Sequence, residues 1–344
     1  MKKILFFLMF SLSLAAQRVE FVTLDQSIKD KRGLTKSLTL IDTRIDKEIG
    51  TIADKKETAE IKFKDENLKD HFESWFLNDN KKVGNTDIVI MLEELKIYDE
   101  QNNNKDYPFA KLKIKISSFI KRNDKYYFIG RFDNVIVCNP KLTPHPQRFL
   151  ARQISDIITE FIKLSYINTD PGILIPENEI INYNSYLGKN YKAFNNPGLK
   201  DGVYSNFKEF YNQEPNANYI LEKNKKGKVV RLMNKGVESS FSEMYCYVEG
   251  GKAYKLTPVG FDEMKKDDKG FYIYTSRVNL FAESNTGGIL VGAILGGIPG
   301  ALIGAAIESG ANPPNGAVHG IGYRSSLESN VYIDSLTGAY IFTN

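Results

Sequence analysis

Residues 110–117 read Ala-Lys-Leu-Lys-Ile-Lys-Ile-Ser, and this strict alternation decides the fold class. Successive side chains of a strand point to opposite faces. Ala110, Leu112, Ile114 and Ile116 therefore share one face, and Lys111, Lys113, Lys115 and Ser117 the other. The expectation is an amphipathic strand with a solvated lysine face, rather than an anion-binding comb. Upstream of the polar turn 101–106, residues 86–98 hold Ile88-Val89-Ile90-Met91-Leu92 and then Leu95 and Ile97. Downstream, Asn123-Asp124 turns the chain into a strand over 126–137, so a meander is expected. Further strands are expected at 18–24 and 34–45.

Two helices accompany this sheet. Within 66–78, Leu68, Phe72, Trp75 and Phe76 recur at helical spacing, with Lys69, Asp70 and Glu73 opposite. Within 147–166, Leu150, Ile154, Ile157, Ile158, Phe161 and Leu164 form one apolar stripe. A sheet covered by two helices predicts an α+β sandwich over 17–166. Residues 167–200, with Pro171, Pro176, Pro197 and many asparagines, read as a linker or loosely packed excursion. The stretch 201–344 reads as a mostly β domain. It opens with a short helix at 204–213, followed by strands at 219–222, 228–233, 243–248, 253–256 and 270–281. Later strands are expected at 320–327, 330–333 and 339–342, with turns at Lys226-Gly227, Gly250-Gly251 and 334–338.

Residues 287–307 carry no charge, and Gly288, Gly292, Gly296, Gly300 and Gly304 recur every four positions. On a helix this spacing makes one slowly drifting glycine ridge, which lets another helix approach closely. One continuous helix of this length reaches about 32 Å, just enough to span a bilayer. Pro299 argues for a break, because inside a helix it removes a hydrogen bond and clashes with the preceding turn. The flanks hold Glu283 and Glu308 without a basic cluster to anchor a membrane end. The expectation is an inserted helical hairpin that packs on its own protein or a second copy. A membrane-inserting segment and an apolar loop are the alternatives.

The ends and composition narrow the class. Lys2 and Lys3, the apolar run 4–14 and Ala15-Ala16 have the layout of a signal peptide over 1–16. No cysteine follows that run, so the lipoprotein route is closed. Hydrophobic residues at 42% and charged residues at 26% exclude a disordered chain and a polytopic membrane protein. The net charge of +4 reads as too small and dispersed for a nucleic-acid partner. In an oxidising compartment Cys138 and Cys246 are free to pair. Buried apolar thiols are the preferred reading.

Sites of chemistry are sparse. His71, His145 and His319 lie far apart without metal-ligand spacing, and each reads as a surface histidine. Asp42, Arg44, Asp46 and Glu48 read as solvated ion pairs at a strand end. Asp262, Glu263, Asp267 and Asp268 with their lysines read as a polar turn without a calcium-loop pattern. No nucleophile elbow, zinc-protease helix or P-loop is present. No catalytic, metal or cofactor residue is assigned, and no cofactor is expected.

Gly202-Val203-Tyr204 followed by Phe207-Lys208-Glu209-Phe210 resembles the G-[VI]-Y-x-x-F-x-E-F opening of a group of uncharacterised secreted Gram-negative envelope proteins. The hairpin 243–250 and the closing Ile333-Asp334, Thr337-Gly338 pattern are similar to later pieces of that group, so the resemblance spans 201–342. Val248-Glu249 stands where the group has an Asp-Gly type turn. The resemblance implies export and a β-rich fold, and it brings no activity. The functional expectation is a non-enzymatic, exported envelope protein, periplasmic or outer-membrane-associated. It binds envelope proteins or its own copies and contacts a membrane through 287–307. A secreted hydrolase built from scattered Asp and Glu, and a pore- or toxin-like protein inserting the glycine-rich hairpin, are the alternatives.

Overall fold

The computed structural model describes residues 18–54, 57–81, 84–101, 106–167, 172–280 and 326–342. The first sheet contains β1 (Arg18–Val22), β2 (Thr35–Asp42), β3 (Gly50–Asp54), β4 (Glu57–Phe63), β5 (Thr86–Gln101), β6 (Pro108–Arg122), β7 (Lys125–Cys138) and β8 (Leu174–Pro176). Its order is β1-β4-β3-β5-β6-β7-β8. One edge of β5 serves two strands: β2 runs parallel to its first half, and β3 meets it at Ile97. Helices α1 (Leu68–Asp79) and α2 (Pro146–Ile167) pack with the face that carries Ile88, Ile90, Leu112, Ile114 and Ile116. Asn67 caps α1 by accepting from the Asp70 N–H. The expected sandwich is therefore present. The β3–β4 hairpin adds to it; Ala59, Ile61 and Phe63 alternate with Glu60 and Lys62, a period of two outside the strands expected above.

Two expectations are corrected. The lysine face of β6 is not solvated: Lys111 is 6% exposed, and Lys113 and Lys115 are partly buried. The other half of that face carries a second cluster of Val89, Met91, Phe119, Tyr126, Ile175, Ile180, Tyr183 and Leu187. Most of its covering residues come from the segment expected as a linker. Residues 172–200 form β8, a 3-10 turn at Glu177–Glu179, α3 (Tyr183–Gly188) and α4 (Lys192–Asn195). Ile180, Tyr183, Leu187, Tyr191 and Ala193 are buried there. Single large side chains dock this stretch, so no period marks it in the sequence.

The C-terminal part begins with β9 (Gly202–Tyr204) and α5 (Phe207–Asn212). A three-stranded sheet follows, made of β10 (Tyr219–Lys223), β11 (Val229–Asn234) and β12 (Val237–Ser239). The last sheet adds β13 (Cys246–Glu249), β14 (Lys252–Thr257), β15 (Gly260–Lys266), β16 (Phe271–Ser276), β17 (Glu328–Ile333) and β18 (Tyr340–Ile341), with α6 (Arg277–Leu280) after β16. Its order is β18-β17-β16-β15-β14-β13-β9. One face, with Cys246, Ala253, Met264, Phe271 and Ile273, joins the same continuous core as α1 and α2. The other face, with Val203, Tyr247 and Leu256, lies under Leu232 of the three-stranded sheet. This is an α+β fold with a mostly β C-terminal part, as the sequence predicts.

The glycine-rich segment 287–307, with Gly288, Gly292, Gly296, Pro299, Gly300 and Gly304, lies outside the described residues. So do the signal-like segment 1–16, His319 and residues 320–325 of the strand expected at 320–327, whose last two residues precede β17 without joining a strand. What is described are the stems on either side: β16 and β17 are antiparallel neighbours, and Ser276 stands opposite Glu328. No helix among the described residues is long and apolar enough to cross a membrane.

Candidate functional site

The densest polar cluster lies where β5, β6 and β7 meet α3 and the turn after β17. A register irregularity between Leu92 and Glu94 sets Glu93 apart from the ladder. Its carboxylate accepts from Ser117 Oγ at 2.6 Å and Tyr183 OH at 2.8 Å, and Lys115 Nζ lies 2.9 Å away. Lys111 donates to Glu100 at 2.6 Å, and Lys113 pairs with Asp133. Lys111, Lys113 and Lys115 thus each meet a carboxylate from a neighbouring strand. This pairing is how the face tolerates cover, because buried charge is costly unless partnered.

Arg131 of β7 closes the cluster. Its Nε and Nη2 donate to the two carboxylate oxygens of Asp334 at 2.6 and 2.8 Å, and Nη1 donates to Asn184 Oδ1 at 2.8 Å. Both partners are nearly sealed from solvent. Burial raises the Asp334 carboxyl pKa, but the Arg131 guanidinium and the N–H groups of Leu336 and Thr337 outweigh it, and the net shift is downward. Burial likewise lowers Arg131, and Asp334 more than reverses that. Burial raises the Tyr183 phenol, keeping it a neutral donor to Glu93.

A second buried arginine acts at the other stem. Arg277, at the start of α6, donates through Nη2 to the Val135 carbonyl at 2.8 Å and lies 4.4 Å from the centre of the Phe342 ring. Phe342 in turn exchanges backbone contacts with β7: its carbonyl accepts from Val135 N–H, and its N–H donates to Asn134 Oδ1. β7 therefore holds α6 before the glycine-rich segment and the end of β17 after it.

Phe207, Tyr245 and the turn at 334–338 converge beside this join. Gly338 has φ +72°, and a Cβ there would lie 2.4 Å from a ring atom of Phe207. The Phe207 and Tyr245 ring centres are 5.7 Å apart, and Tyr245 OH donates to the Gly338 carbonyl at 3.3 Å. Asp334 shapes the closing turn by accepting from Leu336 and Thr337 N–H. The β13–β14 hairpin turns at Gly250-Gly251, both at positive φ, so the turn lies one step beyond Val248-Glu249. Asp201 accepts from both glycine N–H groups at 3.0 Å.

Lys255 of β14 lies next to this convergence. Cross-strand registers set Tyr204, Cys246, Lys255 and Asp262 in one row across β9, β13, β14 and β15. Lys255 is 1% exposed, and its Nζ lies 4.0 Å from the Tyr245 ring centre and 3.3 Å from the Tyr245 carbonyl. Burial pushes its amine down to about 8. Cys138 and Cys246 are free, buried thiols. Burial pushes Cys138 up to about 11 and Cys246 upward as well, so both are held as unreactive thiols.

The other residues weighed in the sequence are scattered. His71 Nδ1 lies 3.0 Å from Asp65, and its Nε2 lies 2.9 Å from the Leu24 carbonyl. His145 is exposed at φ +54° in the turn before α2. Arg44, expected at a solvated strand end, is 5% exposed and forks onto Asp42 at 2.8 and 3.0 Å. Asp267 caps its turn by accepting from Lys269 and Gly270 N–H. Among the described residues, no group of three or more His, Cys, Asp or Glu is placed to hold a metal ion. Sequence reasoning missed Glu93, Arg131, Tyr183 and Arg277, because their partners lie tens to hundreds of positions away. Comparison with protein-family models, curated proteins and solved structures yields no match.

Proposed function

We propose that this chain is a non-enzymatic, exported envelope protein that presents its glycine-rich segment 287–307 for assembly with a membrane, an envelope protein or a second copy. The observation that carries this reading is the mounting of the two stems. β16, which runs into α6, is the antiparallel neighbour of β17, and buried Arg277 and Arg131 tie α6 and the turn after β17 to β7. A charge-free run with glycine every fourth residue is poor material for an isolated helix in water, since each glycine costs about 1 kcal/mol relative to alanine. Close packing or lipid compensates for that cost. The signal-like start at Lys2 to Ala16 supports export.

The test is fractionation of the mature protein, intact and lacking 287–307, with a high-pH carbonate wash. Because Ser276 and Glu328 are cross-strand neighbours, the deletion is expected to keep β16 and β17 paired. The intact chain is expected to resist the wash, or to sediment as a larger assembly, and the deleted chain to do neither. Identical partition and identical assembly state in both would overturn the reading.

A further inference from the structure

The three-stranded sheet β10–β12 has an outward side that no element described above uses. Residues 217–240 contain six basic and two acidic residues, an excess equal to the whole chain's net charge of +4. The charge that looked dispersed in the sequence is therefore concentrated on one small sheet. Arg231 is already matched by Glu222 and Glu238, each 3.7 Å away, and Lys223 by Glu249. Lys225, Lys226 and Lys228 are exposed at the β10–β11 turn, with no ion-pair partner among the described residues. Asn224 Oδ1 accepts from the N–H groups of Lys226 and Lys228 at 2.9 and 3.0 Å, so the turn backbone is fixed while the amines fan outward.

Among the exposed apolar side chains, Val230 lies two residues from Lys228, and Ile220 lies at the far end of β10. Tyr219, Leu221, Val229 and Leu232 pack inward. Ile220 is 64% exposed and Val230 46%, whereas the exposed Val237 stands opposite Asn234 in the row of inward-packed Tyr219, at the sheet edge. The register slip between Glu222 and Lys223 leaves Val230 without a residue opposite it. Three exposed lysines at a tip backed by exposed Val230 match a lipid interface, where amines meet anionic headgroups and the aliphatic side chain enters shallowly. Arginine, whose fork suits bidentate recognition of a fixed carboxylate, is here neutralised within the sheet. The hairpin tip also lacks an aromatic on which a nucleic-acid base would stack.

We propose that the β10–β11 hairpin tip and the outward face of β10–β12 dock on an anionic lipid surface. This contact does not depend on residues 287–307, and the experiment separates the two. The full mature chain, the same chain lacking 287–307, and a Lys225→Gln, Lys226→Gln, Lys228→Gln variant are titrated with phosphatidylcholine vesicles, with and without phosphatidylglycerol. The three substitutions touch no core, and fluorescence of the single, buried Trp75 reports whether the variant is folded. Both unsubstituted chains are expected to bind the anionic vesicles, with affinity falling as salt rises. The triple variant is expected to bind roughly a hundredfold more weakly, at about fivefold per lysine. Equal binding to neutral vesicles, unchanged affinity in the triple variant, or complete loss of binding in the chain lacking 287–307 would each overturn the proposal. Tighter binding to polyglutamate than to anionic vesicles would overturn it in favour of an acidic protein partner.

Discussion

Arg131 in the first sheet and Lys255 in the last are both almost fully buried cations, and the two regions accommodate them in opposite ways. Arg131 forks onto Asp334 at 2.6 and 2.8 Å, and the pair holds its charge more firmly than water would. Lys255 faces the Tyr245 ring and a carbonyl, and burial brings its amine down to about 8. A carboxylate at bidentate distance locks a charge in place. Ring faces and carbonyls accept a charge without locking it. The first region is a fixed join between the halves of the molecule, while the second is a core whose charge state is open to change close to neutral pH.

The largest expected effect tests the join. Asp334→Ala strands Arg131 in the interior and removes the acceptor of two turn N–H groups. It is expected to lower stability by about 3–5 kcal/mol, read by urea denaturation. Replacing both partners, Arg131→Met with Asp334→Leu, is expected to recover much of that loss, because no charge is left unpaired. The wild-type join also has a pH signature. Asp334's carboxyl is depressed on folding, so its contribution is complete above the ordinary carboxylate range and is lost as pH falls through its folded pKa. A loss below about 1 kcal/mol for Asp334→Ala would mean that the pair is incidental and the two cations are not so different.

How much of this contrast was legible beforehand differs by region. The helical spacings at 68–76 and 150–164 revealed α1 and α2 almost to their ends, and the period of two at 110–117 revealed the middle of β6. Those patterns are local, and burial on one side imposes them. The fate of the β6 lysines was not local. It depends on Glu93, Glu100 and Asp133 arriving from adjacent strands, and on a register slip that no single segment reveals. Asp334 was noticed as part of a turn pattern, whereas its partner Arg131 sits 203 positions earlier in a strand of ordinary appearance. Residues 172–200 failed as a reading because Tyr183 and Tyr191 dock singly, and proline and asparagine content says nothing of such anchors.

The next effect concerns Lys255. The ordinary lysine value of 10.5 falls to about 8 in the folded state, so the protonated amine is the disfavoured form there. Below about pH 8 the folded protein carries that penalty in full. Between about 8 and 10.5 the unfolded chain binds more protons, and stability rises with pH by roughly 3 kcal/mol. Lys255→Met, similar in length and without a charge, is expected to flatten this rise and to be neutral or stabilising at pH 7. Urea midpoints of the two proteins across pH 7–10 isolate the lysine, since tyrosine titrations are common to both. Parallel curves would show that Lys255 is as firmly held as Arg131, and the contrast would collapse.

The smallest effect asks whether the aromatic core around Lys255 yields or resists. Gly338→Ala asks for two things at once: a left-handed backbone for a residue with a Cβ, and room where Phe207 carbons lie 2.4–2.7 Å away. The first costs about 1–2 kcal/mol and the second about 1–3 kcal/mol. Phe207→Ala removes the obstruction and leaves the backbone cost. In that background Gly338→Ala is therefore expected to lose only the backbone cost, and the cycle to show a coupling of about 1–3 kcal/mol. Thermal or urea unfolding of the four proteins measures it. If the coupling is present, Phe207 is held rigidly against Gly338 and Tyr245, and the rings around Lys255 form a fixed wall, so its lowered amine follows from exclusion of water. With no coupling, the Phe207 ring swings aside at little cost. A core that gives way so easily would also admit water to Lys255, and the pH-dependent rise would shrink with it.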